Sequence, residues 1–200
     1  NPIEPRAALA TFEPATRRTT LWATSQAPHR LKQFISGEVF HVPATEFAVE
    51  APDVGGGFGA KGQLYPEDSL VCWAARRLAR PVRWTGERGE SIATDAAGRD
   101  QLDHAEMAFG ADGRILALRV ALDANVGGYL STAGAATPVS TLKLLSSVYA
   151  IPAVHGTMRG IFTNTNPVGA YRGAGRPEAT FVVERLVEVA AREMGIEPAE

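Results

Sequence analysis

Cysteine is nearly absent: Cys72 is the single one in 200 residues. One thiol cannot close an internal disulfide, and with four histidines it is too little for a zinc or iron-sulfur cage. No run of about 18 apolar residues occurs, so no helix is expected to span a membrane. An excess of charge is also missing. The formal net charge is -2, which offers no basic face to nucleic acid. Internal repeats and low-complexity linkers are absent as well. So is an initiator methionine: the chain opens on "NPIEPRAALATFE", which reads as the middle of something. A fragment or processed chain is expected, and the lack of a signal peptide then says nothing about compartment.

What is present suffices for a core. With 45% hydrophobic and 21% charged residues, the chain can fold as one domain or two small ones. "RRTTLWATS" (17–25) is β-rich, and "APHRLKQFISGE" carries Pro28 and Gly37 as helix start and stop. "EFAVEAPDV" reads as a strand. "PEDSLVCWAARRLARP" reads as a helix with Pro66 and two acids in its first turn and arginines in its last, ended by Pro81; Cys72 falls on its buried face. "VRWTG" reads as a short strand. "QLDHAEMAFGADGRILALRVALDANVGG" alternates on both sides of Asp112-Gly113, the mark of a β-hairpin. Residues 127–147 are small and polar without clear periodicity. "IPAVHGTMRGIFTNTNPVG" reads as strand then loop, and "PEATFVVERLVEVAAREMG" as a long amphipathic helix stopped by Gly195. Strands and helices mix without regular alternation, so the expected class is α+β.

Two glycine-rich stretches stand out. "GGGFGAK" (55–61) is built for close backbone approach, to a phosphate, to a bulky organic cofactor, or to the chain itself in a turn with Phe58 plugging the core. It departs from the phosphate-loop pattern, because Gly62 follows Lys61 where a hydroxyl would be needed for magnesium. It meets the dinucleotide pattern only in the degenerate spacing Gly55, Gly57, Ala60. In "NPVGAYRGAGRPEA" (166–179), Arg172 and Arg176 flank "GAG". A guanidinium offers planar paired donors to oxygen anions or carbonyls; the alternative is a solvated turn ahead of a helix. Gln26, at a strand end, can aim its side-chain amide into a pocket or lie in solvent.

Taken together and in order, "NPIEPRAALA", "LWATSQAPHRLKQFIS", "VGGGFGAK" and "YAIPAVHGTMRGIFTNTNPVGAYRGAGRPEATFVVERLVEVAAREMG" resemble the molybdenum hydroxylases. These include the large subunits of xanthine dehydrogenase, aldehyde oxidase and carbon monoxide dehydrogenase, and the resemblance is to the carbon monoxide dehydrogenase-like type that carries "AYRGAGR". The resemblance covers nearly the whole chain. It implies that residues 1–200 are the first molybdopterin-binding region of a longer large subunit. It implies a molybdenum ion on a molybdopterin cofactor, expected as the cytosine dinucleotide form, with no direct metal ligand from the protein. Cofactor-binding residues by motif match are Gln26, Gly56, Gly57, Phe58, Gly59, Ala170, Arg172 and Gly173. Gln26 matches the glutamine that bonds a molybdenum oxo ligand, and Arg172 the arginine near the cofactor.

The implied chemistry is oxidative hydroxylation of a small-molecule substrate. It needs a general-base glutamate, which the family keeps near the end of the full subunit and which has no equivalent here; Glu178 and Glu184 read as helix-start and surface acids. Implied partners are the rest of the large subunit, an iron-sulfur subunit and an FAD subunit, in a cytoplasmic complex. Departures narrow the substrate. Gly173 stands where copper-dependent carbon monoxide enzymes carry cysteine. Gly62, Ala174 and Ser140 stand where the purine enzymes carry polar and aromatic groups, which argues against xanthine and leaves an aldehyde or another N-heterocycle. The alternatives are a cofactor-free α+β fragment and a nucleotide-binding module without catalysis.

Overall fold

A computed structural model describes residues 1–197, so 198–200, the end of the expected region, lie outside the described residues. Two compact units divide the chain, Asn1–Asp95 and the part from Ala96 onward.

In the first unit, β1 (Ala7–Glu13) and β2 (Arg18–Ala23) form an antiparallel pair. β3 (Phe47–Glu50) lies parallel to β2, and β4 (Val82–Thr85) antiparallel to β1, giving the order β3-β2-β1-β4. Period-two alternation sends Ala8, Ala10, Leu21 and Ala23 to one face, where they meet Leu31 and Ile35 and the Val71, Cys72 and Ala75 stripe of helix α2 (Pro66–Leu78). Cys72 is fully buried; burial first, then the nearby Asp68 charge, pushes its thiol up to about 12. Pro66 occupies the first turn as expected, but Ala79, at a left-handed φ of 50°, ends the helix before Pro81 is reached.

Helix α1 (Pro28–Gln33) starts at its proline but does not stop at Gly37. It widens into a π-helical turn, Phe34–Val39, because Ile35 and Ser36 are buried and hold the chain helical past the glycine. A second departure is α3 (Arg88–Thr94), a short helix without an apolar stripe to announce it.

The second unit is built on the expected hairpin. β5 (Gln101–Phe109) and β6 (Ile115–Gly127) pair antiparallel around Gly113, whose φ of 83° suits glycine. β7 (Ala153–Phe162) adds parallel to β6 and forms a sheet edge. Leu118 and Val120 of β6 pack with Leu145 and with Val182 and Val183 of α5 (Arg176–Met194), which Gly195 ends in a left-handed turn. Within residues 127–147, which lack clear periodicity, lies α4 (Ala136–Lys143), whose buried residues are Thr137, Pro138 and Thr141. Both sheets mix parallel and antiparallel neighbours beside packed helices, so the α+β expectation holds.

Candidate functional site

Each unit carries one of the two glycine loops, each held by long-range contacts. The first loop follows β3. Gly56 (φ 87°), Phe58 (φ 51°) and Gly59 (φ 102°) all take left-handed conformations. Phe58 does so without being a glycine, a strain of about 1–3 kcal/mol that the surrounding contacts must offset. The residue is 49% exposed, so it does not plug the core. Gly56 lies under its ring: a β-carbon there would meet Phe58 at 2.7 Å.

Gln26 leaves the end of β2 and lies over this loop. Its Oε1 accepts the Gly59 N–H at 2.9 Å, and its own backbone N–H donates to the Lys61 carbonyl at 3.0 Å. A side-chain amide whose oxygen is occupied by a backbone donor has its orientation fixed, so Nε2 remains as the outward donor. The fit leaves no room at Gly57, where a β-carbon would stand 2.3 Å from Gln26 Oε1. The Gly59 amide is therefore committed to Gln26.

Lys61 turns inward. Its ammonium is buried and pairs with Glu4 Oε2 at 2.6 Å, and the same oxygen accepts the Gly55 N–H at 2.7 Å. The hydrogen bond from Lys61, the largest influence, holds the Glu4 carboxyl below its usual range. A lysine so engaged offers no cation to a phosphate. Beneath it, Arg6 is buried between Asp95 (2.7 Å) and Glu67 (3.0 Å) and stacks over the Tyr65 ring at 3.7 Å.

The second loop lies between β7 and α5. Asn125 anchors its approach, donating to Asp100 and Thr165 and accepting from Thr163 and Gly127. Gly173, Ala174 and Gly175 then take successive φ values of 95°, 44° and 97°. Gly175 is pressed on α4: a β-carbon would meet the Thr137 carbonyl oxygen at 2.4 Å. Glu178 opens α5 and is more than a helix-start acid. One carboxylate oxygen accepts the Gly175 N–H at 3.0 Å and pairs with Arg99 at 3.0 Å. Arg99 also donates to the Arg172 carbonyl and stacks on the Tyr171 ring at 4.7 Å. The two arginines of the motif then differ. Arg176 donates back to the Gly173 carbonyl at 3.2 Å, closing its own loop. Arg172 is exposed, and its guanidinium forms no ion pair among the described residues.

Of the eight residues singled out in the sequence, Gln26, Gly56, Gly57, Phe58 and Gly59 meet in the first loop, and Ala170, Arg172 and Gly173 lie in the second. Glu4 and Arg99, which help to hold the loops, carry no local signature: Glu4 and Lys61 stand 57 positions apart, Arg99 and Arg172 73.

The first loop thus presents a side-chain amide oriented by a backbone donor, and the second an exposed guanidinium without an ion pair among the described residues. The chain belongs to the molybdopterin cofactor-binding domain family, which it matches over residues 1–200. It is 34% identical over its full length to the 6-hydroxypseudooxynicotine dehydrogenase complex subunit gamma of Paenarthrobacter nicotinovorans, covering 25% of that protein. It is 36% identical over its full length to the carbon monoxide dehydrogenase large chain of Hydrogenophaga pseudoflava, again covering 25%. The crystal structure of quinoline 2-oxidoreductase from Pseudomonas putida 86 superposes on 98% of this chain and 25% of that one, with a TM-score of 0.92 and 35% identity. The chain thus spans about a quarter of the length of these relatives. Among the described residues no helix is long and apolar enough to cross a membrane.

Proposed function

We propose that residues 1–200 are the first cofactor-binding region of the catalytic large subunit of a molybdenum-dependent oxidoreductase that hydroxylates an aldehyde or an N-heterocycle. The observation that carries this reading is Gln26, locked by the Gly59 N–H so that its own N–H2 faces out over a glycine surface. The residues fit the group: the glycines at 56 and 57 let the Phe58 ring and the Gln26 amide lie close on the loop, that amide is a donor suited to an oxygen ligand, and the free guanidinium of Arg172 suits oxygen-rich portions of a cofactor. When bound, the molybdenum centre supplies the two-electron oxidation and the oxygen transfer. In this reading Gln26 would donate to the cofactor and Phe58 would line it from the first loop, and Ala170 and Arg172 would be its binding residues in the second loop.

Within this reading the general-base glutamate is supplied by chain outside residues 1–200. Electrons leave through an iron-sulfur subunit to an FAD subunit in a cytoplasmic complex, and the words "complex subunit" and "large chain" in the relatives' names support a multi-subunit enzyme. Quinoline, named for one related structure, is an N-heterocycle, which favours that substrate class. Copper-assisted carbon monoxide oxidation is disfavoured. A cysteine at Gly173 would bring its β-carbon within 2.6 Å of Pro177 at a φ of 95°. We further assign the cytosine dinucleotide form of the pterin. Acid hydrolysis of the native complex should release one cytidine monophosphate per molybdenum; release of no nucleotide, or of guanosine monophosphate, contradicts that assignment.

A further inference from the structure

We propose that Glu4 and Lys61 are a positioning pair that fixes the first glycine loop, and with it Gln26, whose backbone N–H bonds the Lys61 carbonyl and whose side chain accepts the Gly59 N–H. The inference rests on the cofactor reading above for its consequence, though not for its geometry. Glu4 Oε2 takes the Gly55 N–H at one end of the loop and the Lys61 ammonium at the other. One carboxylate oxygen therefore fastens both ends of a seven-residue glycine-rich segment. The Lys61 carbonyl in turn receives the Gln26 N–H at 3.0 Å and lies 3.4 Å from Ser25 Oγ, which donates to it. The chain around Glu4 also packs directly on the loop, since a β-carbon on Gly55 would meet Glu4 Cβ at 2.6 Å. The Lys61 side chain is buried, and Glu4 Oε2 is taken up by the two ends of the loop. Both act through other residues.

The pair is unequal, and that gives it a signature. The Lys61 side chain is 1% exposed and that of Glu4 36%. Removing the glutamate charge leaves a buried ammonium without its counter-ion, whereas removing the ammonium leaves a carboxylate that water can reach. Glu4→Gln should therefore disturb the loop more than Lys61→Met, and the double variant, with no buried charge, should return toward the Lys61→Met level.

The test uses the native complex, with amide hydrogen exchange across residues 26 and 55–62 and molybdenum content read on the same preparations. Glu4→Gln should speed exchange in those segments and lower molybdenum per large subunit, each by about tenfold, as loss of a ligand-orienting partner does elsewhere. Exchange in β1 and β2 should stay as in wild type. Should Glu4→Gln not fold, Lys61→Met carries the same comparison with a smaller effect. Unchanged exchange in both variants overturns the proposal. Faster exchange with wild-type molybdenum content overturns it as a cofactor-positioning device. A wild-type complex without molybdenum contradicts the preceding subsection instead, and exchange confined to the loop then decides the pair by itself.

Discussion

The side-chain oxygen of Gln26 accepts the backbone N–H of Gly59 at 2.9 Å, and this contact sets which end of the amide faces away from the loop. Gln26→Glu keeps an acceptor for Gly59 but loses the outward donor. The loop should retain its wild-type hydrogen-exchange pattern while cofactor retention falls by about tenfold or more, the cost of an unmade hydrogen bond. Equal losses of loop order and cofactor would mean that the outward N–H2 has no separate role.

Gly57 leaves no space for a side chain, since a β-carbon would stand 2.3 Å from Gln26 Oε1. Gly57→Ala must push Gln26 aside or distort the loop, at about 1–3 kcal/mol. Thermal unfolding of the variant should show that loss together with reduced molybdenum content. A variant matching wild type in both would show that the loop tolerates a methyl and is not closely fitted.

Arg99 and Arg172 should separate stability from binding. Arg99→Ala strips the counter-ion from Glu178, a carboxylate whose side chain is buried, and frees the Arg172 carbonyl. Because Arg99 is itself partly exposed, the expected loss is about 1–3 kcal/mol. Arg172→Ala breaks no internal ion pair and should change unfolding by less than about 0.5 kcal/mol. Denaturant titration of both variants checks the contrast, and the reverse order of effects would contradict it.

Asp68 gives a pH signature. Burial is the main cause that pushes its carboxyl up to about 6 from an ordinary 3.8, against the opposing Tyr65 N–H bond and Arg6 charge. The native state thus holds a proton between these values that the unfolded chain has released. The contribution of Asp68 is fully present below pH 4 and is lost as pH rises through 6. Asp68→Asn should match wild type near pH 4 and exceed it by about 3 kcal/mol above pH 7. Opening free energies of the α2 amides from hydrogen exchange provide the measurement. An advantage independent of pH would place the titration elsewhere.

The frame was legible where physics is local. Alternation announced the Asp112-Gly113 hairpin, and Pro66 and Gly195 marked helix ends that the structure keeps. α4 was silent because the residues it buries are Thr137, Pro138 and Thr141, which carry no apolar period. Gly37 misled because Ile35 and Ser36 pack deeply enough to carry the helix past it. In the site, the glycines and Gln26 were readable as motifs and Glu178 as a helix-start acid, whereas Glu4 and Arg99, and the pairing of Lys61, were not. Glu4 reaches Lys61 across 57 positions and Arg99 reaches Arg172 across 73, and such pairings leave no periodic trace.

The most direct test of the account is molybdenum stoichiometry in the native complex, wild type beside Gln26→Ala and Arg172→Ala. The account predicts about one molybdenum per large subunit in wild type, and a loss of about tenfold or more in each variant with the fold retained. No molybdenum in the wild-type complex, or undiminished molybdenum in both variants, would contradict it.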